Sequence, residues 1–120
     1  MLAVANSERG ADTVIAERLG AVISAVNHAE VVSKLLRSNL LADDIDQFLF
    51  ETFPRVIPFD RQQAGLSAKL HAKTRKQKLS YADCACLALA AAYEIPVLTG
   101  DLKWSDIPGE IAGVEVRQFR

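Results

Sequence analysis

Residues Leu79 to Trp104 read LSYADCACLALAAAYEIPVLTGDLKW, a long apolar stretch of helix formers followed by a short apolar run and an acid, and that order decides the fold. From Ser80, the segment SYADCACLALAAAYE is rich in alanine and leucine and apolar almost all round, so it reads as a helix that belongs in the interior. Ile95 to Leu98 then reads as a strand. Thr99, Gly100 and Asp101 open a loop running through Pro108, on which Trp104 is expected to pack. Cys84 and Cys86 lie on the helix, which turns them about 200° apart and prevents a mutual bridge. Both read as core residues, because a reactive thiolate needs an exposed, electropositive setting.

Working outward, strands and helices alternate. Asp12 to Leu19 follows the break at Gly10 and places Val14, Ile15 and Leu19 on one helical face. Ala21 to Val26 (AVISAV) has the pattern of a doubly buried strand, and helical spacing resumes from Asn27 to Leu36. Asp43 to Phe53 opens with acids, where the helix dipole favours them, and stops at Pro54. Arg55 to Phe59 reads as a strand, Asp60 leads a helix through Lys73 with its exit at Lys76 to Leu79, and Val114 to Val116 reads as a last strand. Strands separated by helices pair in parallel through right-handed crossovers, which predicts a three-layer α/β/α domain with a parallel sheet. In such folds ligands bind beyond the carboxyl ends of the strands.

Composition narrows the function. A chain of 120 residues matches one domain and buries roughly two-thirds of the surface its unfolded form exposes. With 14 basic and 15 acidic residues, the net charge of −1 excludes a strongly basic nucleic-acid binder, so any nucleic-acid contact is local. The local candidate is Lys69 to Lys78, where Lys69, Lys73, Arg75, Lys76 and Lys78 surround His71; its plainer reading is a solvated helix face. No basic stretch followed by a long apolar region opens the chain, and the apolar run Cys84 to Ala92 is far short of the ~20 residues that span a bilayer. A reducing cytoplasm is the expected compartment.

Chemistry concentrates on three acids. Glu30 follows AVISAV in the early turns of a helix, Asp101 follows IPVL by two residues, and Asp83 lies in the first turn of the buried helix. Glu30 and Asp101 therefore fall near strand carboxyl ends, and the three acids, widely separated in sequence, are expected to be neighbours in space. Ser80-x-x-Asp83 and Asn27-x-x-Glu30 also read as capping boxes, and Asp101 as a turn residue. Their joint placement favours chemistry, because gathered carboxylates raise one another's pKa unless a cation sits between them. Mg²⁺ or Mn²⁺ suits such oxygen donors and would support hydrolysis of a phosphodiester. A Gly-rich phosphate loop, G-x-S-x-G and H-E-x-x-H are all absent from the sequence, and His28 and His71 stand alone as surface or packing residues.

The run from Leu79 to Trp104 resembles the carboxyl half of a PIN domain of the VapC-type toxin branch. In that family the acids of L-S-x-A-D and L-T-x-D bind metal, positions held here by Asp83 and Asp101. VISAVNHAEV resembles the second motif, whose glutamate matches Glu30. The resemblance implies a Mg²⁺- or Mn²⁺-dependent endoribonuclease acting as the toxin of a toxin–antitoxin pair, dimeric, silenced by a small antitoxin, with Thr99 orienting the site.

One departure stands out. The family's opening strand ends in a metal-binding aspartate followed by a serine, and this chain reads Met1-Leu2-Ala3 where that motif should be finishing. A central strand with about four large aliphatic residues contributes on the order of 10 kcal/mol, comparable to the stability of a whole domain. The expectation is an amino-terminally incomplete single domain whose natural product begins upstream of Met1. The alternative is a PIN-fold protein that binds an antitoxin or RNA and cuts neither.

Overall fold

Ser24 decides where strand gives way to helix in the amino-terminal part of the chain. Its backbone is extended and its Oγ accepts the Val26 N–H at 3.3 Å, satisfying one of the donors a helix start leaves unpaired. The computed structural model describes residues 21–52, 55–99, 104 and 114–118. In it β1 is Ile23–Ser24 and α1 is Ala25–Leu36. The strand expected over Ala21 to Val26 is therefore cut to two residues, and the helix begins before Asn27. A β-branched apolar run looks like a strand throughout, yet the serine hydroxyl caps a helix that then takes Ala25 and Val26.

The chain divides into two compact units, Met1–Pro58 and Phe59–Arg120. In the first, α1 buries Val31 and Leu35 and packs against α2, Ala42–Thr52, which buries Ile45 and Leu49 four residues apart. Asp43 and Asp44 occupy the first turn of α2, at the positive end of its dipole. Strand β2, Val56–Ile57, pairs in parallel with β1 in the register Ile23 to Val56 and Ser24 to Ile57. The Ile23 N–H donates to the Arg55 carbonyl at 3.1 Å, extending the pairing. The expected helix Asp12 to Leu19 lies outside the described residues.

In the second unit Asp60 caps α3, Arg61–Lys73, its Oδ1 accepting the Gln63 N–H at 2.9 Å. Ser80 caps α4, Tyr81–Tyr93, as the sequence predicts. Helix α4 buries Cys84, Ala85, Leu87, Ala88, Leu89 and Ala90, which explains why it is apolar almost all round. At the junction, buried Thr74 donates its hydroxyl to the Leu70 carbonyl at 2.8 Å and lies 3.8 Å from the Cys84 sulfur, tying the end of α3 to α4. Glu94 ends α4 in the left-handed conformation at φ 54°, a position that usually falls to glycine. Strand β3, Val97–Thr99, pairs in parallel with β4, Val116–Gln118, two residues later than the expected start at Val114.

Trp104 joins Leu70, Leu79, Cys84, Leu87, Ala88, Val97 and Val114 in the core of this unit. That corrects the expectation of a loop-packing role, because a large apolar ring gains far more from core burial than from a solvated loop. The architecture is helix-rich α/β with parallel strand pairs, as the alternation of elements predicts. Among the described residues no helix is long and apolar enough to cross a membrane.

Two substitutions measure these forces. Leu87, fully buried, is expected to cost ~2–5 kcal/mol on Leu87→Ala through lost transfer energy and the cavity left behind. Gly65 sits inside α3 with open space where a Cβ would lie, so Gly65→Ala should stabilise by ~0.5–1 kcal/mol. Urea unfolding midpoints check both, and a neutral Leu87→Ala would contradict the tight core.

Candidate functional site

Asp83 is held by its own helix. The Ser80 N–H donates to its Oδ2 at 2.9 Å while the Asp83 N–H donates to Ser80 Oγ at 3.1 Å, a complete capping box. The capping alternative is thus realised at this position. It leaves the metal reading open, because the box engages Oδ2 and no hydrogen bond or ion pair of the described residues engages Oδ1. One bond holds the Asp83 side chain and the other its backbone, and one carboxylate oxygen stays unengaged by the described residues on a half-buried residue.

Glu30 lies in the second turn of α1, exposed, with Lys34 Nζ 3.7 Å away one helical turn on. The Asn27-x-x-Glu30 capping box does not form, since Ser24 caps the helix and places Glu30 too far along it. A pair exposed to this degree is worth ~0.3–0.5 kcal/mol and yields readily to a stronger cation. Asp101 lies outside the described residues, and Glu30 and Asp83 belong to different units. Among the described residues no group of three His, Cys, Asp or Glu side chains gathers around one point. Thr99, the proposed orienting hydroxyl, is buried at the end of β3 opposite Gln118.

Each of the two described acids is by itself chemically consistent with a hard divalent cation. Asp83 and Glu30 offer carboxylate oxygens, the ligands Mg²⁺ and Mn²⁺ prefer. The thiols do not compete. Cys84 is fully buried and Cys86 partly so, both unbridged. Burial pushes the Cys84 thiol up and the Cys86 thiol up to about 11, with the nearby Asp83 charge opposing the thiolate in both. The core reading of the cysteines holds. His28 is half-buried, with its Nδ1 buried and unpartnered.

The basic stretch is divided by geometry. Lys69 and Lys73, four apart on α3, share one face, whereas His71 points about 200° away from Lys69. Arg75, Lys76 and Lys78 occupy the turn between α3 and α4, closed by the Lys78 N–H on the Arg75 carbonyl at 3.2 Å, with Lys78 at φ 56°. All five cations are exposed, and none is paired with a carboxylate among the described residues. His71 is not alone: its ring stacks on Tyr81 with centroids 4.2 Å apart and planes 19° from parallel. Tyr81 carries no motif signal of its own, and its pairing with His71 is seen only in the structure.

The sequence model of the PIN domain family matches residues 2–110. No curated protein matches the chain. A solved structure described as a toxin–antitoxin complex from Klebsiella pneumoniae is similar in fold, with a TM-score of 0.69 at 20% identity, covering 99% of this chain and 91% of that one.

The two acids are separable by stability. Ser80→Ala strips one half of the cap and should cost ~0.5–2 kcal/mol, whereas Glu30→Gln loses only an exposed ion pair and should stay within ~0.5 kcal/mol of the parent. Thermal melting of both variants checks this, and a large loss from Glu30→Gln would assign that residue a structural duty.

Proposed function

Because the chain belongs to the PIN domain family, we propose that it is a metal-dependent endoribonuclease, the toxin of a type II toxin–antitoxin pair, with Glu30, Asp83 and Asp101 as its metal-binding and catalytic acids. The observation that carries this reading is the state of Asp83. The family's L-S-x-A-D acid stands here at the start of a buried helix with one oxygen held by the cap and the other engaged by none of the described residues. A carboxylate held this way loses little conformational freedom when it takes up a cation.

A bound Mg²⁺ or Mn²⁺ supplies an activated water and charge stabilisation for in-line attack on phosphorus. The protein's own contributions are distinct from that. Glu30, Asp83 and Asp101 hold the cation, and Thr99 orients the acid two residues after it. Lys69, Lys73, Arg75 and Lys76, exposed and without carboxylate partners among the described residues, hold phosphates of the strand. The resemblance in fold to a toxin–antitoxin complex supports a small antitoxin as partner, and the same reading takes the protein as a cytoplasmic homodimer.

Asp83→Asn tests the assignment, since asparagine still accepts the Ser80 N–H and preserves the cap. The variant is expected to keep its melting temperature, to lose at least the roughly 10–100-fold in Mg²⁺ affinity that even an outer-sphere change produces, and to lose cleavage of a labelled RNA. Chelation of the parent should abolish cleavage as well. Cleavage that survives both Asp83→Asn and chelator would remove metal chemistry from the protein, and a parent that binds RNA in Mg²⁺ without cutting it would favour the inert, binding-only reading.

A further inference from the structure

We propose that the Tyr81–His71 stack is a platform for one unpaired nucleobase of an RNA strand, with the turn carrying Arg75, Lys76 and Lys78 gripping the adjoining phosphates. The inference rests on the RNA reading above and adds to it a stacking site for one base, made by His71 and Tyr81, and the cation Lys78, none of which that reading uses.

Tyr81 is 71% exposed, a large ring left in solvent at the first position of a helix that buries six of its residues. Its ring is nonetheless not loose. The imidazole behind it lies nearly parallel at 4.2 Å, so one face is backed and the other is presented to solvent in a fixed direction. A third flat group can extend that stack, and every nucleobase has a face that fits, which makes such platforms tolerant of sequence.

Charge on the same segment points to the same ligand. From Arg61 to Ala82 the chain has six cations and no acid, leaving eight cations against fifteen acids elsewhere. Three of the six stand on the closed turn bracketed by the two stacked rings, exposed and unpaired with any carboxylate of the described residues. Rings and cations interleaved over His71 to Tyr81 form the combination that binds single strands, stacking for the base and charge for the backbone. Asp83 lies two residues beyond Tyr81 in the same helical turn but about 200° around the axis, so the platform holds the strand at the same helix start without aiming the stacked base at the capped carboxylate. Bases within a duplex are already stacked on their neighbours and gain nothing from Tyr81.

The test uses the full chain in EDTA, so that cleavage cannot intervene, and follows binding of a labelled single-stranded oligoribonucleotide and a fully paired RNA hairpin by fluorescence anisotropy. Tyr81→Ala should weaken the single strand roughly 5- to 100-fold and leave the hairpin within about twofold. Tyr81→Phe, which keeps the ring, should bind like the parent, and the exposure of Tyr81 means melting temperatures should not move. Arg75→Gln with Lys76→Gln should weaken both RNAs and reduce the salt dependence of binding.

The platform is overturned if Tyr81→Ala binds the single strand as well as the parent does, if Tyr81→Phe is as impaired as Tyr81→Ala, or if the parent shows no preference for the single strand. Polyglutamate binding that falls on Tyr81→Ala as RNA binding does would also overturn it, giving the surface to an acidic protein segment. The two readings fail separately. Metal-dependent cleavage with Tyr81-independent binding sinks the platform and leaves the nuclease, whereas Tyr81-dependent binding without cleavage sustains the platform and sinks the nuclease.

Discussion

The reciprocal bonds between Ser80 and Asp83 set the first turn of α4, and the second unit takes its arrangement from that helix. A helix buried on nearly all sides cannot shift its starting point by one residue without rotating leucines out of the core and alanines toward larger neighbours. The capping box removes that freedom by satisfying two backbone donors that the helix start would otherwise leave without a protein partner. Thr74 acts at the same junction from the other side, closing α3 and touching Cys84. With both ends of the connection fixed, the turn between them has little choice, and Lys78 accepts the left-handed backbone that the closure demands.

Much of this was legible in the sequence because it is local. Ser80-x-x-Asp83 before an alanine-leucine run states a helix start, Asp60 states another, and both caps form. Ser24 was misread for an equally physical reason: β-branched residues flank it, and periodicity cannot tell a short buried strand from the first turn of a buried helix. Trp104 was assigned to a loop by its neighbours in sequence, yet its partners Leu70, Leu87 and Val114 come from distant parts of the unit. The His71–Tyr81 stack was invisible for the same cause, since ten residues and a left-handed turn separate rings that share no periodic relation.

The acids show both limits together. Asp83 was legible as a cap and as a candidate ligand, and a carboxylate with two oxygens can satisfy both descriptions at once. Glu30 was legible as an acid following a strand, but its immediate surroundings are an exposed lysine and water. Convergence of side chains so far apart in sequence depends on tertiary placement, which no local rule supplies, and for Asp101 the described residues give no placement either.

A net charge of −1 excludes a protein that binds nucleic acid through its whole surface, yet the sum conceals an uneven distribution. At physiological ionic strength exposed charges are screened beyond about 8 Å, so a phosphate approaching the α3–α4 turn responds chiefly to Arg75, Lys76 and Lys78 and hardly to acids farther off. The same screening means that acids elsewhere neither help nor hinder encounter at that turn. Under the proposed reading, local charge on the closed α3–α4 turn would suffice for contact with a strand, with no need for a basic surface elsewhere.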